Sequence, residues 1–283
     1  MLKTFLVLGR VSNLPTVWSN CVCAWYISGG GPIENILWVL IGSSFLYTAG
    51  MYQNDLCDHK FDKEHRNERP IPSGQISFKL VLIVTCLLFA IGLGFLSYAS
   101  VEVFLYSIIL LCLICLYNFT HKKSKLSPFS MAACRAMLFI IGSVAASGTP
   151  TTTAVFASIA IFIYICSLSY IAKKETTGVR LSLLPAIIIF SSPFIIFIDK
   201  NLIANGLTFS AVTGTCLWLV YSLHYSTKFR NVQIGKTVSL LLAGIPLLDL
   251  TKTISLAASP AVIIFLISCF ITTLIAQKYI PAT

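Results

Sequence analysis

Residues 33–62 read IENILWVLIGSSFLYTAGMYQNDLCDHKFD. From Ile33 to Gln53 the stretch is an apolar run with a single charge, Glu34, at its start. A run of about 20 residues spans the ~30 Å hydrocarbon core of a bilayer at 1.5 Å per residue. The next residues change character at once. Asn54 opens a polar segment with Asp55, Asp58 and Asp62. If the helix continues past the membrane, these acids stand at i, i+3 and i+7, on one face. Three like charges on one face repel, and carboxylates next to lipid are costly. A divalent cation resolves the conflict, and carboxylate oxygens completed by water are the usual surroundings of Mg²⁺.

The rest of the chain agrees with a membrane reading. Hydrophobic residues make up 57% of the 283 and charged residues 11%, with a mean hydropathy of +0.86. Apolar runs predict spans near 12–29, 33–53, 77–98, 101–119, 128–147, 152–172, 181–199, 207–227, 232–250 and 254–277. Lys236, Gly244 and Pro246 weaken the ninth. The expected architecture is therefore all-α, one polytopic transmembrane domain over residues 1–283, with nine or ten helices. No cleavable signal is expected, because the first span runs on into others.

Charge sets the orientation. Lys3, Arg10, Lys60, Lys63, Arg66, Arg69, Lys79, Lys122, Lys123, Lys125, Lys173, Lys174, Arg180, Lys228, Arg230 and Lys236 collect on one side. Lys200 and Lys252 fall on the other, and the positive-inside rule assigns the rich side to the cytoplasm. The expected location is the inner, plasma membrane, with the acidic segment facing the cytoplasm. The net charge of +10 is spread over short loops, which speaks against nucleic-acid binding. The ten cysteines lie mostly in apolar runs and read as packing residues. Asp249 and His224 read as markers of span ends.

Only ten Asp and Glu residues occur, and Asp55, Asp58, Asp62, Glu64 and Glu68 are five of them. The pattern Asn54-Asp55-x-x-Asp58-x-x-x-Asp62, followed by Arg69-Pro70-Ile71-Pro72-Ser73-Gly74, resembles the first aspartate motif of the UbiA superfamily of intramembrane prenyltransferases. The resemblance implies about nine helices around a lipid-open cavity. It also implies Mg²⁺-dependent transfer of an isoprenyl group from a prenyl diphosphate to a small-molecule acceptor, aromatic or other. Asn54, Asp55, Asp58 and Asp62 match its metal-diphosphate residues, and Arg69 matches a basic partner. Arg10 and Asn13 match polar residues at the mouth of its first span. Tyr117 with Lys122 and Lys123 resembles its diphosphate clamp.

One departure stands out. The second aspartate motif of such enzymes follows the sixth span, where this chain reads Ser169-Tyr170-Ile171-Ala172-Lys173-Lys174-Glu175. Glu175 is the sole acid there. Lys173 and Lys174 either grip phosphate directly or anchor the topology. This degenerate motif looks like the UbiA-like branch of ebo-type gene clusters. Arg135, inside the fifth span, either faces the cavity and meets phosphate or snorkels to the surface. The leading expectation is a prenyltransferase; the alternative is a non-catalytic membrane protein that binds or carries a phosphorylated or polyprenyl metabolite.

Overall fold

The computed structural model describes residues 2–122, 124–173, 183–198, 205–227 and 233–282. All regular structure among these residues is helical: α1 (Leu2–Leu8), α2 (Leu14–Ile27), α3 (Ile33–His65), α4 (Phe78–Ala99), α5 (Val101–Thr120), α6 (Ser127–Ser147), α7 (Thr152–Lys173), α8 (Leu183–Ile189), α9 (Gly206–Thr227), α10 (Ile234–Ala243), α11 (Ile245–Ile254) and α12 (Pro260–Ala276). Six spans among the described residues are long and apolar enough to cross a bilayer by themselves: α4, α5, α6, α7, α9 and the joined α10–α11. The chain is a multi-pass integral membrane protein of the expected all-α class; the expected nine or ten crossings exceed these six.

Helices α2 and α6 stand at the centre. Cys23, Ala24, Ala132 and Phe139 pack from them against α7, α9, α10 and α11. On the opposite side Val17, Cys21, Leu138 and Ile141 pack against α3, α4 and α5. Outward-facing Leu82, Leu87, Ile91 and Leu105 are exposed, as lipid-facing positions should be. Lipid is as apolar as these side chains, so association rests on close packing rather than on exclusion of water. Gly42 shows this most clearly, because an added Cβ would lie 2.5 Å from Leu96 Cγ and 2.8 Å from the Gly92 carbonyl oxygen. Gly42→Ala is therefore expected to push α3 and α4 apart and to lower stability by roughly 1–3 kcal/mol, read as a drop in thermal midpoint in detergent.

Two elements matter most for function. Helix α3 does not end with its apolar run but continues for three further turns, carrying the acids with it. The ninth span is broken into α10 and α11 at Gly244, where Pro246 removes a backbone donor. Carbonyls next to the break take side-chain donors, Tyr164 Oη to Leu241 at 2.7 Å and Trp218 Nε1 to Leu240 at 3.0 Å. Only glycine fits at 244, since a Cβ there would sit 2.7 Å from the Trp218 ring. Asp249 and Lys252, expected at a span end and in an outer loop, are instead 1% and 4% exposed inside the bundle.

Candidate active site

The long extension of α3 is amphipathic in a particular way. Asn54, Asp55, Asp58 and Asp62 are buried on one face, while Cys57, Lys60, Phe61 and Lys63 are exposed on the other. The loop after α3 is pinned by Ile71 and Ile76, which pack with Leu8, Tyr52, Leu56 and Val81. That anchoring places Arg69 over the acids. Its Nη1 lies 3.1 Å from Asp55 Oδ1 and 3.0 Å from Asp62 Oδ2, so one nitrogen bridges two carboxylates. Arg10, in the turn between α1 and α2, adopts a left-handed backbone (φ 43°) and brings Nη2 to 3.7 Å from Asp55.

Asp58 is served from a different element. His121 Nε2 and Lys122 Nζ, at the end of α5, lie 3.1 and 2.9 Å from its Oδ1. Lys122 Nζ also sits 3.7 Å above the Phe61 ring, and Tyr117 stacks on His121 at 5.2 Å. Asn54 donates to Asn118 Oδ1 (3.2 Å), and Asn118 in turn donates to Gly50 O and Gln53 Oε1. The electrostatics differ along the face. Burial pushes the Asp55 carboxyl above its ordinary value, with Arg10 and Arg69 pulling against it. Burial acts on Asp58 in the same sense, but His121 and Lys122 outweigh it and leave that carboxyl below its ordinary value.

Beneath this polar face a cleft enters the bundle between α3, α5 and α6. Gly50, Met51, Tyr117 and Asn118 form its upper wall, and Leu110, Ile114 and Leu138 line its apolar part. A carboxylate-rich, cation-flanked rim above an apolar cleft suits an amphiphile with a polyanionic head. A family model described as the UbiA prenyltransferase family matches residues 12–229. The chain belongs to the UbiA prenyltransferase family.

Among UbiA relatives, the chain is 25% identical over 178 residues to digeranylgeranylglyceryl phosphate synthase of Methanococcus maripaludis, covering 62% of this chain and 61% of that one. It is 31% identical over 128 residues to 4-hydroxybenzoate octaprenyltransferase of Pectobacterium atrosepticum, covering 44% of each. The chain thus spans less than two thirds of the length of these curated relatives. A UbiA homolog from Archaeoglobus fulgidus, solved bound to DMAPP and Mg²⁺, superposes with a TM-score of 0.54 at 14% identity, over 98% of this chain and 97% of that one.

The UbiA fold brings together most, but not all, of the residues singled out from sequence. Asn54, Asp55, Asp58, Asp62, Arg10, Arg69 and Lys122 form the rim, and Tyr117 and Arg135 line the cleft. Of the two placements open to Arg135, the structure has the cleft. Asn13 does not join the rim: it donates to the Ala282 carbonyl (3.0 Å) and accepts from Gln277 (3.3 Å), packed against the C-terminal segment. Lys173 donates to the Ser124 carbonyl (3.2 Å) in the loop after α5. Lys123, Lys174 and Glu175 lie outside the described residues. His121 and Asn118 are rim residues that sequence reading passed over, although both fall within one turn of Tyr117 and Lys122.

The donor set fits Mg²⁺ in kind. Three carboxylates and an amide oxygen share one face, and the buried Asp62 Oδ1 has no hydrogen-bond partner. Each carboxylate is held by a protein cation here, and no three His, Cys, Asp or Glu side chains among the described residues converge on one point.

Proposed function

We propose that this UbiA-family protein is a Mg²⁺-dependent intramembrane prenyltransferase that moves an isoprenyl group from its diphosphate to a small-molecule acceptor. The observation that carries this reading is the buried three-aspartate face of α3 set at the mouth of an apolar cleft, with Arg10, Arg69 and Lys122 around it. The DMAPP and Mg²⁺ bound by the Archaeoglobus homolog support it.

Asn54, Asp55, Asp58 and Asp62 would hold Mg²⁺, which supplies charge neutralisation for a diphosphate leaving group. Arg69, Arg10 and Lys122, turned from the carboxylates, meet the diphosphate oxygens as charge builds on them. The allylic C–O bond breaks with its electron pair on the diphosphate. The walls of the cleft at Leu110, Ile114 and Leu138 hold the isoprenyl chain and keep water from the cation. The acceptor's electron pair then forms the new bond to the allylic carbon, and the proton the acceptor loses passes to the departing diphosphate. Lys123, Lys173 and Lys174 extend the basic clamp on the diphosphate, and Glu175 is the one acid in the sequence place of a second aspartate cluster. This rim faces the cytoplasm of the inner membrane, consistent with the distribution of Lys and Arg.

The test is direct. Purified protein in lipid nanodiscs, given geranyl diphosphate, Mg²⁺ and an acceptor extract, is expected to release diphosphate and to yield a prenylated product visible by mass spectrometry. Saturable, Mg²⁺-dependent binding of geranyl diphosphate with no diphosphate release would overturn transfer in favour of a carrier. The Lys122→Ala variant is expected to lose roughly tenfold in turnover, since it removes one charge-assisted contact worth about 1.5 kcal/mol.

A further inference from the structure

Among the described residues, Arg135 is the one cationic side chain in the wall of the cleft. It sits two turns inside α6, a span of the membrane. Its Nη1 donates to Thr16 Oγ1 and to Asn20 Oδ1, both at 3.2 Å, from the inward face of α2. Those are neutral oxygens. No carboxylate of the described residues comes within 4.0 Å of the guanidinium, although in the rim Arg10 reaches one and Arg69 two. The nearest acid in the network is one residue removed: Asn20 Nδ2 donates to Asp249 Oδ2 at 2.8 Å, and Asp249 Oδ1 is left without a partner in the core. An arginine inside a membrane is costly and is retained where it meets an anion. Here the anchoring engages only Nη1, so the Nε–Nη2 edge of the fork has no hydrogen-bond partner among the described residues, on a side chain that lines the cleft. That edge matches the two oxygens of a carboxylate or a phosphate.

We infer that Arg135 receives the anionic head of the acceptor, a carboxylate or a phosphate monoester, from inside the bilayer. Thr16, Asn20 and Asp249 are positioning residues: the chain of bonds from α11 through α2 to α6 fixes the fork without occupying it. The word acceptor rests on the proposed transfer reaction; the anion site itself does not.

The experiment measures binding of decyl phosphate, decanoate and decanol to the full chain in phosphatidylcholine nanodiscs, with EDTA present so that no metal serves the acidic rim. Wild type is expected to bind both anions saturably and at least tenfold more tightly than decanol. Arg135→Met is expected to remove that preference, and Arg135→Lys to retain part of it by charge alone. Equal anion preference in wild type and in both Arg135 variants would overturn the inference, whether or not prenyl transfer is observed. Anion preference lost with Arg135 in a protein that transfers nothing supports the site and removes only its assignment to an acceptor. Repeating the titration in phosphatidylglycerol nanodiscs separates the sources. Probe binding abolished there would make the site one for lipid head groups and overturn the acceptor assignment; binding that persists supports it.

Discussion

Asp55→Ala is expected to reduce Mg²⁺-dependent release of diphosphate from geranyl diphosphate by roughly a thousandfold, the scale seen when one preorganised electrostatic group is taken from a transition state. The position explains the size. Asp55 touches both arginines of the rim, Arg69 at 3.1 Å and Arg10 at 3.7 Å, and stands one turn from Asp58 on the same face. Losing it removes a metal oxygen and also unbalances the two guanidiniums that would turn to the leaving group. Asp58→Ala is expected to act on the opposite wall, freeing His121 and Lys122 while Arg69 stays bridged to Asp55 and Asp62. The measurement is initial rate against Mg²⁺ concentration in nanodiscs. A pure metal defect shifts the Mg²⁺ midpoint and recovers at high metal; a defect in leaving-group stabilisation does not. Turnover of Asp55→Ala within threefold of wild type at all Mg²⁺ concentrations would sink the proposed mechanism.

How much of this was legible from sequence depends on where the signal lives. The apolar runs are local, and α4, α5, α6 and α7 fall within a residue or two of the expected spans. The acidic face was legible because it needs only helical register, and α3 supplies that register without interruption to His65. What could not be read is what packs across the bundle. Asp249 looked like a marker of a span end because it is the last residue but one of the apolar run at 232–250. The structure keeps the chain helical on both sides of Gly244, and that carries Asp249 into the core beside Asn20. No sequence spacing links Asn20, Arg135 and Asp249, which are separated by more than a hundred residues each. Asn13 was misleading for the converse reason. Its place beside Arg10 suggested the rim, but the left-handed turn at Arg10 sends the two side chains apart, one to Asp55 and one to the C-terminal segment.

Arg69→Met is expected to destabilise the metal-free protein by about 3 kcal/mol, the lower end for removing one partner of a buried ion pair. The argument turns on what Arg69 does in the absence of metal. Its Nη1 is shared by Asp55 and Asp62, and the Asp62 side chain is only 1% exposed. Without the guanidinium, two buried carboxylates face each other with only Arg10 near one of them. Removing a buried charge's partner is more damaging than removing the pair, because the remaining charge keeps its desolvation penalty. A divalent cation at this face would take over the same neutralising role. The thermal midpoint of Arg69→Met is therefore expected to lie well below that of wild type in EDTA and to rise more steeply with added Mg²⁺, following the binding linkage RT ln(1 + [L]/Kd). The two stability curves should converge as Mg²⁺ saturates the face. Catalysis should not be rescued in parallel, since the guanidinium is also needed by the departing diphosphate. Parallel Mg²⁺ dependence of stability in the two proteins would mean that the metal does not bind where Arg69 now sits. A variant as stable as wild type in EDTA would mean that Asp55 and Asp62 are neutralised by something other than the bridge described.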